Sequence, residues 1–374
     1  MGAGTSLPGA LLPEFIDQFG LSPLGAGTIL AMSSIGYLAS VLSTPRILSR
    51  RGVRATARDG LIVYAVSSIL IGLAPQAWMV GGALLALGLG FGAIDVSTNA
   101  LFAARSGPRT TNVLNLIHFF FGIGAFALPA LAAAVLASTW GWPLLCFLLA
   151  ATSAAAGFGW QGLPPDATTL QSPPVASTPT DGIVSGSVRL LALVLGLYVG
   201  AEVGLGSWIG EYMVAIRSVP VEPSAATLSA YWLGLAVGRL LLSAVAHRVE
   251  DRTLLLLSAA ASVATLWAAL EMADAMGAAA CFFATGMAFA GIFPTVIALA
   301  GRAHPTDVAR ATSAVIAMSA VGGITIPWLM SLISEQYGIE GGMCFYVWIV
   351  SAMVAVILAA IRKPQTLASN IARE

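Results

Sequence analysis

The chain has 374 residues, of which 58% are hydrophobic and only 9% are charged, and its formal net charge at pH 7 is zero. Ordinary soluble domains carry about 25% charged residues, so this composition excludes a water-soluble fold. The few basic residues are too dispersed to favour nucleic-acid binding, and the sequence predicts an all-α integral membrane protein.

Apolar stretches follow one another along the whole chain. A transmembrane helix needs about 20 apolar residues, and eleven stretches meet this length after one shorter stretch at about residues 1–17. The eleven lie at about 22–45, 56–74, 77–103, 111–136, 141–162, 188–213, 225–246, 253–273, 276–300, 309–334 and 341–361. The pattern predicts twelve transmembrane helices.

The loops between these stretches alternate in charge. Arginines dominate every second loop, from the Arg46–Arg58 region to Arg362, whereas the opposite loops are acidic and contain Arg217 as their only basic residue. The positive-inside rule places the arginine-rich side in the cytoplasm. We therefore predict a protein of the cytoplasmic (inner or plasma) membrane, with its C-terminus in the cytoplasm. The tryptophans 78, 140 and 142 are expected at the opposite membrane interface.

The middle of the chain separates two similar halves. Residues 163–187 are rich in Pro, Ser and Thr and predict a flexible cytoplasmic linker between the bundles 1–162 and 188–374. At a constant offset of 198 residues, Gly124 and Pro129 match Gly322 and Pro327. Two six-helix bundles related in this way are the plan of the major facilitator fold. The same register predicts that the first helix is truncated and that the native chain begins upstream of Met1.

Four ionisable residues interrupt the apolar cores: Asp95, His118, Glu202 and Arg239. A central Asp or Arg costs roughly 2.5–3.5 kcal/mol on insertion scales, so each is a candidate functional residue. Asp95 shares a helical face with Asn99, and His118 shares one with Asn115. Asp95 is our candidate proton-coupling acid. The alternatives are that Asp95 and His118 are polar ties between helices and that Arg239 forms a structural ion pair.

The arginine-rich loop after the second stretch loosely resembles the Gly-x-x-x-Asp-Arg-x-Gly-Arg-Arg signature of the major facilitator superfamily. Arg50, Gly52 and Arg54 match that signature, and a second, decayed copy begins at Arg248. A simpler interpretation is that these arginines only set the topology.

Three further motifs resemble the fucose–proton symporter family within that superfamily. They are GFGAIDVSTN at 90–99, LNLIHFFFGIG at 114–124 and YVGAEVGLGSW at 198–208. His118 and Glu202 stand where that family has Gln, and Gly9 stands where it has a carboxylate in the first helix. The resemblance implies sugar transport by proton symport and alternating access. Because Gly9 replaces one acid, three alternatives stay open: coupling at Asp95 alone, coupling at Asp95 and Glu202, or facilitated diffusion without coupling.

The expected sugar site combines polar groups and aromatic walls. We predict Asn99, Asn115, His118, Tyr198 and Trp208 as substrate-binding residues. We expect no cofactor, and we expect no enzymatic activity because the sequence offers no set of nucleophile, base and orienting group. We also expect no metal, because the three cysteines have no metal-type spacing. The expected partners are a monosaccharide, protons and the lipid bilayer, and a monomer is expected. Two alternatives stay open: proton-antiport efflux of amphipathic compounds, and a non-transporting membrane sensor.

Overall fold

A computed structural model describes residues 1–105, 110–161, 186–245, 248–304 and 307–362. These residues form eleven α-helices and no strand. In chain order they are α1 (Gly2–Phe19), α2 (Pro23–Gly72), α3 (Ala77–Arg105), α4 (Thr110–Leu136), α5 (Pro143–Gln161), α6 (Gly186–Ala215), α7 (Val221–Val245), α8 (Asp251–Glu271), α9 (Ala275–Phe289), α10 (Ile292–Ala303) and α11 (Val308–Arg362). Most of the predicted linker lies outside the described residues.

Two of these helices are too long to cross a bilayer once. Helices α2 and α11 contain 50 and 55 residues. At 1.5 Å per residue their lengths would be about 75 and 80 Å. The hydrocarbon core of a bilayer is only about 30 Å thick. Each bends at a glycine with positive φ, at Gly52 (76°) and Gly338 (74°). We call the parts on either side of each glycine its first and second arms, and each arm makes one crossing.

The number of crossings agrees with the sequence. Only Ala290 and Gly291 separate α9 from α10, and 275–303 is apolar enough to be one span. With the arms of α2 and α11 counted separately and α9–α10 counted once, the described helices make twelve crossings. The prediction of an all-α fold with twelve helices is confirmed.

The two halves share one register. The starts of α2, α3 and α4 lie 198 residues before the starts of α7, α9 and α11. Packing repeats as well, because a Cβ atom at Gly36 would overlap the carbonyl group of Leu85, and one at Gly234 would overlap that of Phe283. Glycine permits the same close helix approach in both halves, as expected for an internal duplication.

The surface of the bundle is apolar. Nine described helical segments are long and hydrophobic enough to span a membrane, and large side chains such as Leu42, Phe158 and Trp348 point outward with 66%, 72% and 72% of their surface exposed. An apolar surface of this extent is expected to contact the lipid of a membrane rather than water. The chain is an integral membrane protein.

The halves touch on the side of the membrane opposite the arginine-rich loops, which we call the outer side. The backbone N–H of Leu24 in α2 donates to Glu335 Oε2 of α11 at 2.9 Å. In the outer half of the bundle, Ser229 Oγ of α7 donates to the carbonyl oxygen of Phe126 in α4 at 2.8 Å. Helix α1 also packs on α6, at Gly9 and Gly206. In this conformation the halves are closed against each other on the outer side.

Candidate functional site

The first polar cluster surrounds Asp95 on α3. The Tyr37 hydroxyl of α2 donates to Asp95 Oδ2 at 3.0 Å, and Asn99 Nδ2 donates to Oδ1 at 2.9 Å. Asn99 lies one helical turn after Asp95, as their spacing predicts. Asp95 is thus half-buried, and its carboxyl group is hydrogen-bonded between α2 and α3.

Close helix packing brings this cluster together. A Cβ atom at Gly88 of α3 would overlap the backbone of Ser33 in α2, and one at Gly92 would press on Ser40. The missing side chains let the two helices approach. Tyr37, which lies between these two contact points on α2, therefore reaches the carboxyl group on α3.

Three aromatic rings continue from Tyr37. Tyr37 stacks on Phe91 with ring centroids 5.0 Å apart, and Phe91 stacks on Phe121 of α4 at 6.3 Å, with interplanar angles of 27° and 28°. We call these three rings the aromatic stack. Phe119 and Phe120 are exposed on the surface, so of the three consecutive phenylalanines only Phe121 belongs to the site.

Two predicted substrate residues cannot be placed. Helix α4 carries Asn115 and His118, but their side chains lie outside the part of the chain that the structure describes. Their roles stay predictions.

The second polar cluster joins α6 to α7. Arg239 Nη2 lies 3.5 Å from Glu202 Oε1, and the two side chains are 32% and 13% exposed. The Tyr231 hydroxyl donates to the backbone carbonyl of Glu202 at 3.1 Å. An ion pair of Arg239 with an acid was one of the sequence-based expectations, and the structure forms it.

Tyr198 lies one turn before Glu202 and is fully buried. Its hydroxyl interacts with the side chains of both Glu202 and Arg239. Tyr198 therefore stands beside the predicted acid, as the motif suggested.

Trp208 lies further along α6 and is also fully buried. Its indole N–H is without a hydrogen-bond partner among the described residues. In this conformation no solute can reach the ring, so a role in binding would require the halves to move. That role stays a prediction.

The two clusters are not repeats of each other. The position 198 residues after Asp95 is Phe293, and the position 198 residues before Glu202 is Gly4. Each half therefore contributes different polar residues. The helices of the two halves share one register, but the candidate site is not symmetric.

Sequence reasoning missed three members of these clusters: Tyr37, Phe91 and Tyr231. The available signal was a tyrosine hydroxyl in the middle of an apolar span, since a buried Tyr O–H usually has a hydrogen-bond partner. Its partner on another helix could not be read from the sequence.

The residues of the loop signature lie at the arginine-rich side. Gly52 supplies the bend in α2, with Arg50 exposed and Arg54 half-buried beside it. Arg51 forms an ion pair with Asp59 at 2.8 Å. Arg248 is exposed just before α8. The role of the signature stays a prediction.

Comparison with known proteins gives the family. The sequence matches the family described as the Major Facilitator Superfamily over residues 1–220 and 191–374. It is 22% identical to the glucose/mannose transporter of Bacillus subtilis (strain 168), over 86% of this chain and 82% of that protein. The fold is similar to the crystal structure of a D-xylose–proton symporter, with a TM-score of 0.79 and 13% identity over 96% of this chain and 93% of that one. It is also similar to the E. coli fucose–proton symporter, with a TM-score of 0.62 and 16% identity over 96% and 95%.

Proposed function

The chain belongs to the Major Facilitator Superfamily, and from this premise we propose that it is a secondary active transporter that carries a monosaccharide together with a proton. The geometry around Asp95 is the observation that carries the proposal. A carboxyl group inside a membrane bundle is retained mainly for function, and this one is held by Tyr37 and Asn99, which are neutral donors. Proton-coupled transport needs an acid whose protonation changes as the solvent around it changes.

The same cluster suits a sugar. Sugar hydroxyls need donors and acceptors, which Asp95, Asn99 and the Tyr37 hydroxyl provide. The apolar C–H face of a sugar ring packs on aromatic rings, and the aromatic stack lies next to the carboxyl group. The printed name of the Bacillus relative, a glucose/mannose transporter, supports the same substrate class.

Transport would follow alternating access between the halves. They are closed on the outer side in this conformation, and rocking of the two bundles around a site near the midplane would expose that site to the other solution. We assign the arginine-rich side, the linker and the C-terminus to the cytoplasm. We further propose Glu202 as a second proton-binding acid, with Asn115, His118, Tyr198 and Trp208 as substrate contacts, in a monomer.

Counterflow and gradient-driven uptake in proteoliposomes test this function. Purified protein should exchange labelled monosaccharides across the membrane, and an imposed pH gradient should drive their accumulation. Asp95→Asn should lose accumulation while it retains exchange, because the amide preserves the shape of the cluster but cannot bind the proton. Asp59→Asn, at the surface ion pair with Arg51, is the matched control and should accumulate sugar normally.

Three results would contradict the proposal. If Asp95→Asn accumulates sugar as well as the parent protein does, Asp95 does not couple transport to the proton. Proton-driven export of amphipathic compounds without sugar exchange would indicate an antiporter. The absence of any flux in protein that is correctly folded would indicate a sensor built on the same scaffold.

A further inference from the structure

The ion pair on α6 and α7 narrows the substrate class. We propose that Arg239 binds a carboxylate group of the transported solute, so that the solute is a sugar acid such as a uronic or aldonic acid. This inference rests on the proposed function, because it names the class of monosaccharide that the same site accepts.

The first observation is the geometry of the ion pair. Charge-assisted hydrogen bonds between guanidinium and carboxylate are about 2.7–2.9 Å long and often bidentate. Arg239 instead makes one contact with Glu202 at 3.5 Å, and its side chain is 32% exposed. Glu202 therefore compensates the charge of Arg239 without filling its donor positions, and a second carboxylate can approach the guanidinium.

The second observation is the hydroxyl of Tyr198. It is fully buried and interacts with both members of the ion pair. When Arg239 turns from Glu202 to a solute carboxylate, this hydroxyl is placed to donate to the carboxyl group of Glu202. Tyr198 therefore provides a hydrogen-bond donor for Glu202 in the state in which Arg239 binds the solute.

Charge balance then couples solute binding to a proton. With Glu202 ionised and Arg239 protonated, the pair has no net charge. When the solute carboxylate replaces Glu202 at Arg239, a proton from the surrounding water binds Glu202 and the net charge stays zero. The described groups that face Glu202 are Tyr198 on α6 and Arg239 and Tyr231 on α7, and among these only Arg239 is cationic.

Binding of matched sugars tests the substrate class. Galacturonate and gluconate would be compared with galactose and glucose in equilibrium binding and counterflow with the full-length protein. We expect the acids to bind at least about tenfold more tightly, because their carboxylate adds a charge-assisted hydrogen bond with Arg239. Exchange of neutral sugars with no preference for the acids would overturn the inference and leave the proposed function standing. Exchange of no sugar at all would overturn the proposed function itself.

Two substitutions with opposite expected effects test the role of the ion pair. Arg239→Gln should weaken binding of the sugar acid at least about tenfold, and Arg239→Lys should recover only part of that loss, because an ammonium group lacks the planar fork. Glu202→Gln should strengthen binding at pH 7, since the neutral amide no longer competes for Arg239. It should also remove the pH dependence of acid binding. A purely structural ion pair would instead make both Gln variants bind more weakly, and that result would overturn the inference.

Controls separate binding from folding. Arg302→Gln removes an arginine that forms an ion pair with Asp251 away from the clusters, and its affinity for sugar acids should be unchanged. The double variant Glu202→Gln/Arg239→Gln carries no unpaired charge and should fold even if a single variant does not. It should bind galacturonate as weakly as it binds galactose, and a retained preference for the acid would contradict the role of Arg239.

Discussion

Tyr37 and Tyr198 each stand beside an acid in an apolar helix, but they differ in their hydrogen bonds. Tyr37 donates to Asp95 Oδ2 at 3.0 Å, whereas the Tyr198 hydroxyl interacts with both Glu202 and Arg239. The bond from Tyr37 orients one oxygen of a carboxyl group whose other oxygen accepts from Asn99, so Tyr37 is a positioning residue for the proposed proton-binding acid.

Tyr37→Phe tests this role. The substitution keeps the ring and its stacking on Phe91 but removes the donor to Asp95. A hydrogen bond to a charged group contributes about 1.5–3 kcal/mol, so we expect proton-driven sugar uptake to lose about tenfold or more in kcat/KM, and its pH profile to shift. Initial rates of uptake over a pH series would measure both effects.

Tyr346→Phe is the matched control for that experiment. The Tyr346 hydroxyl is buried and has no hydrogen bond in the described structure, so its removal should leave the uptake rate and the pH profile unchanged. If both variants lose activity equally, the hydrogen bond from Tyr37 has no special role.

At the scale of the helix, single glycines decide where long helices bend. Gly338 joins the two arms of α11 with φ 74° and ψ 170°, a region that only glycine occupies without strain. Gly20, which ends α1, has φ 61° and ψ 42°, a left-handed conformation that asparagine also tolerates. No atom lies within 4 Å of a Cβ built at either glycine, so backbone strain alone separates the two sites.

Replacement of each glycine by asparagine measures that strain. Gly338→Asn should destabilise the protein by about 1–3 kcal/mol, and Gly20→Asn should destabilise it by less than about 1 kcal/mol. Thermal unfolding in detergent micelles would compare the two variants with the parent protein. Equal destabilisation would show that the bend at Gly338 is not held in the described conformation.

At the scale of the whole molecule, a carboxylate at a helix N-terminus helps to hold the halves together. The backbone N–H of Leu24 lies in the first turn of α2 and donates to Glu335 of the other half. Negative charge is favourable at a helix N-terminus, by about 0.3–1 kcal/mol where the group is exposed, as Glu335 is. Beside this contact, Ser331 packs directly on Gly27.

Glu335→Ala should shift the protein toward a state that is open on the outer side. A loss of up to about 1 kcal/mol changes the ratio of the two states by about two- to fivefold. Spin labels at the exposed outer positions Trp140 and Met276, one in each half, would report the distance distribution. The population at longer distance should grow.

Glu340→Ala removes another exposed acid from the same helix and is the control for the change in charge. Its distance distribution should match that of the parent protein. An unchanged distribution for Glu335→Ala would show that the contact with Leu24 does not contribute to closure.

The sequence predicted the position of each residue along its helix, but not its direction around the helix axis. Trp142 illustrates the difference. Trp142 is 6% exposed, with its indole N–H donating to Gln18 Oε1 at 2.8 Å and its ring edge-on to Phe15, so it faces the protein interior. Trp78 and Trp140 are exposed. The position of all three at the membrane interface stays a prediction.

The amino-acid sequence alone determined the membrane class, the twelve crossings, the 198-residue repeat and the pairing of Asp95 with Asn99, because each depends on hydropathy or on spacing within one helix. Only the tertiary structure decided that Tyr37 meets Asp95, that Arg239 meets Glu202 and that the outer side is closed. These helices are apolar on nearly every face, so the sequence carries little information about which face turns toward which neighbour. Close packing of glycines and aromatic rings between the helices determines which faces meet.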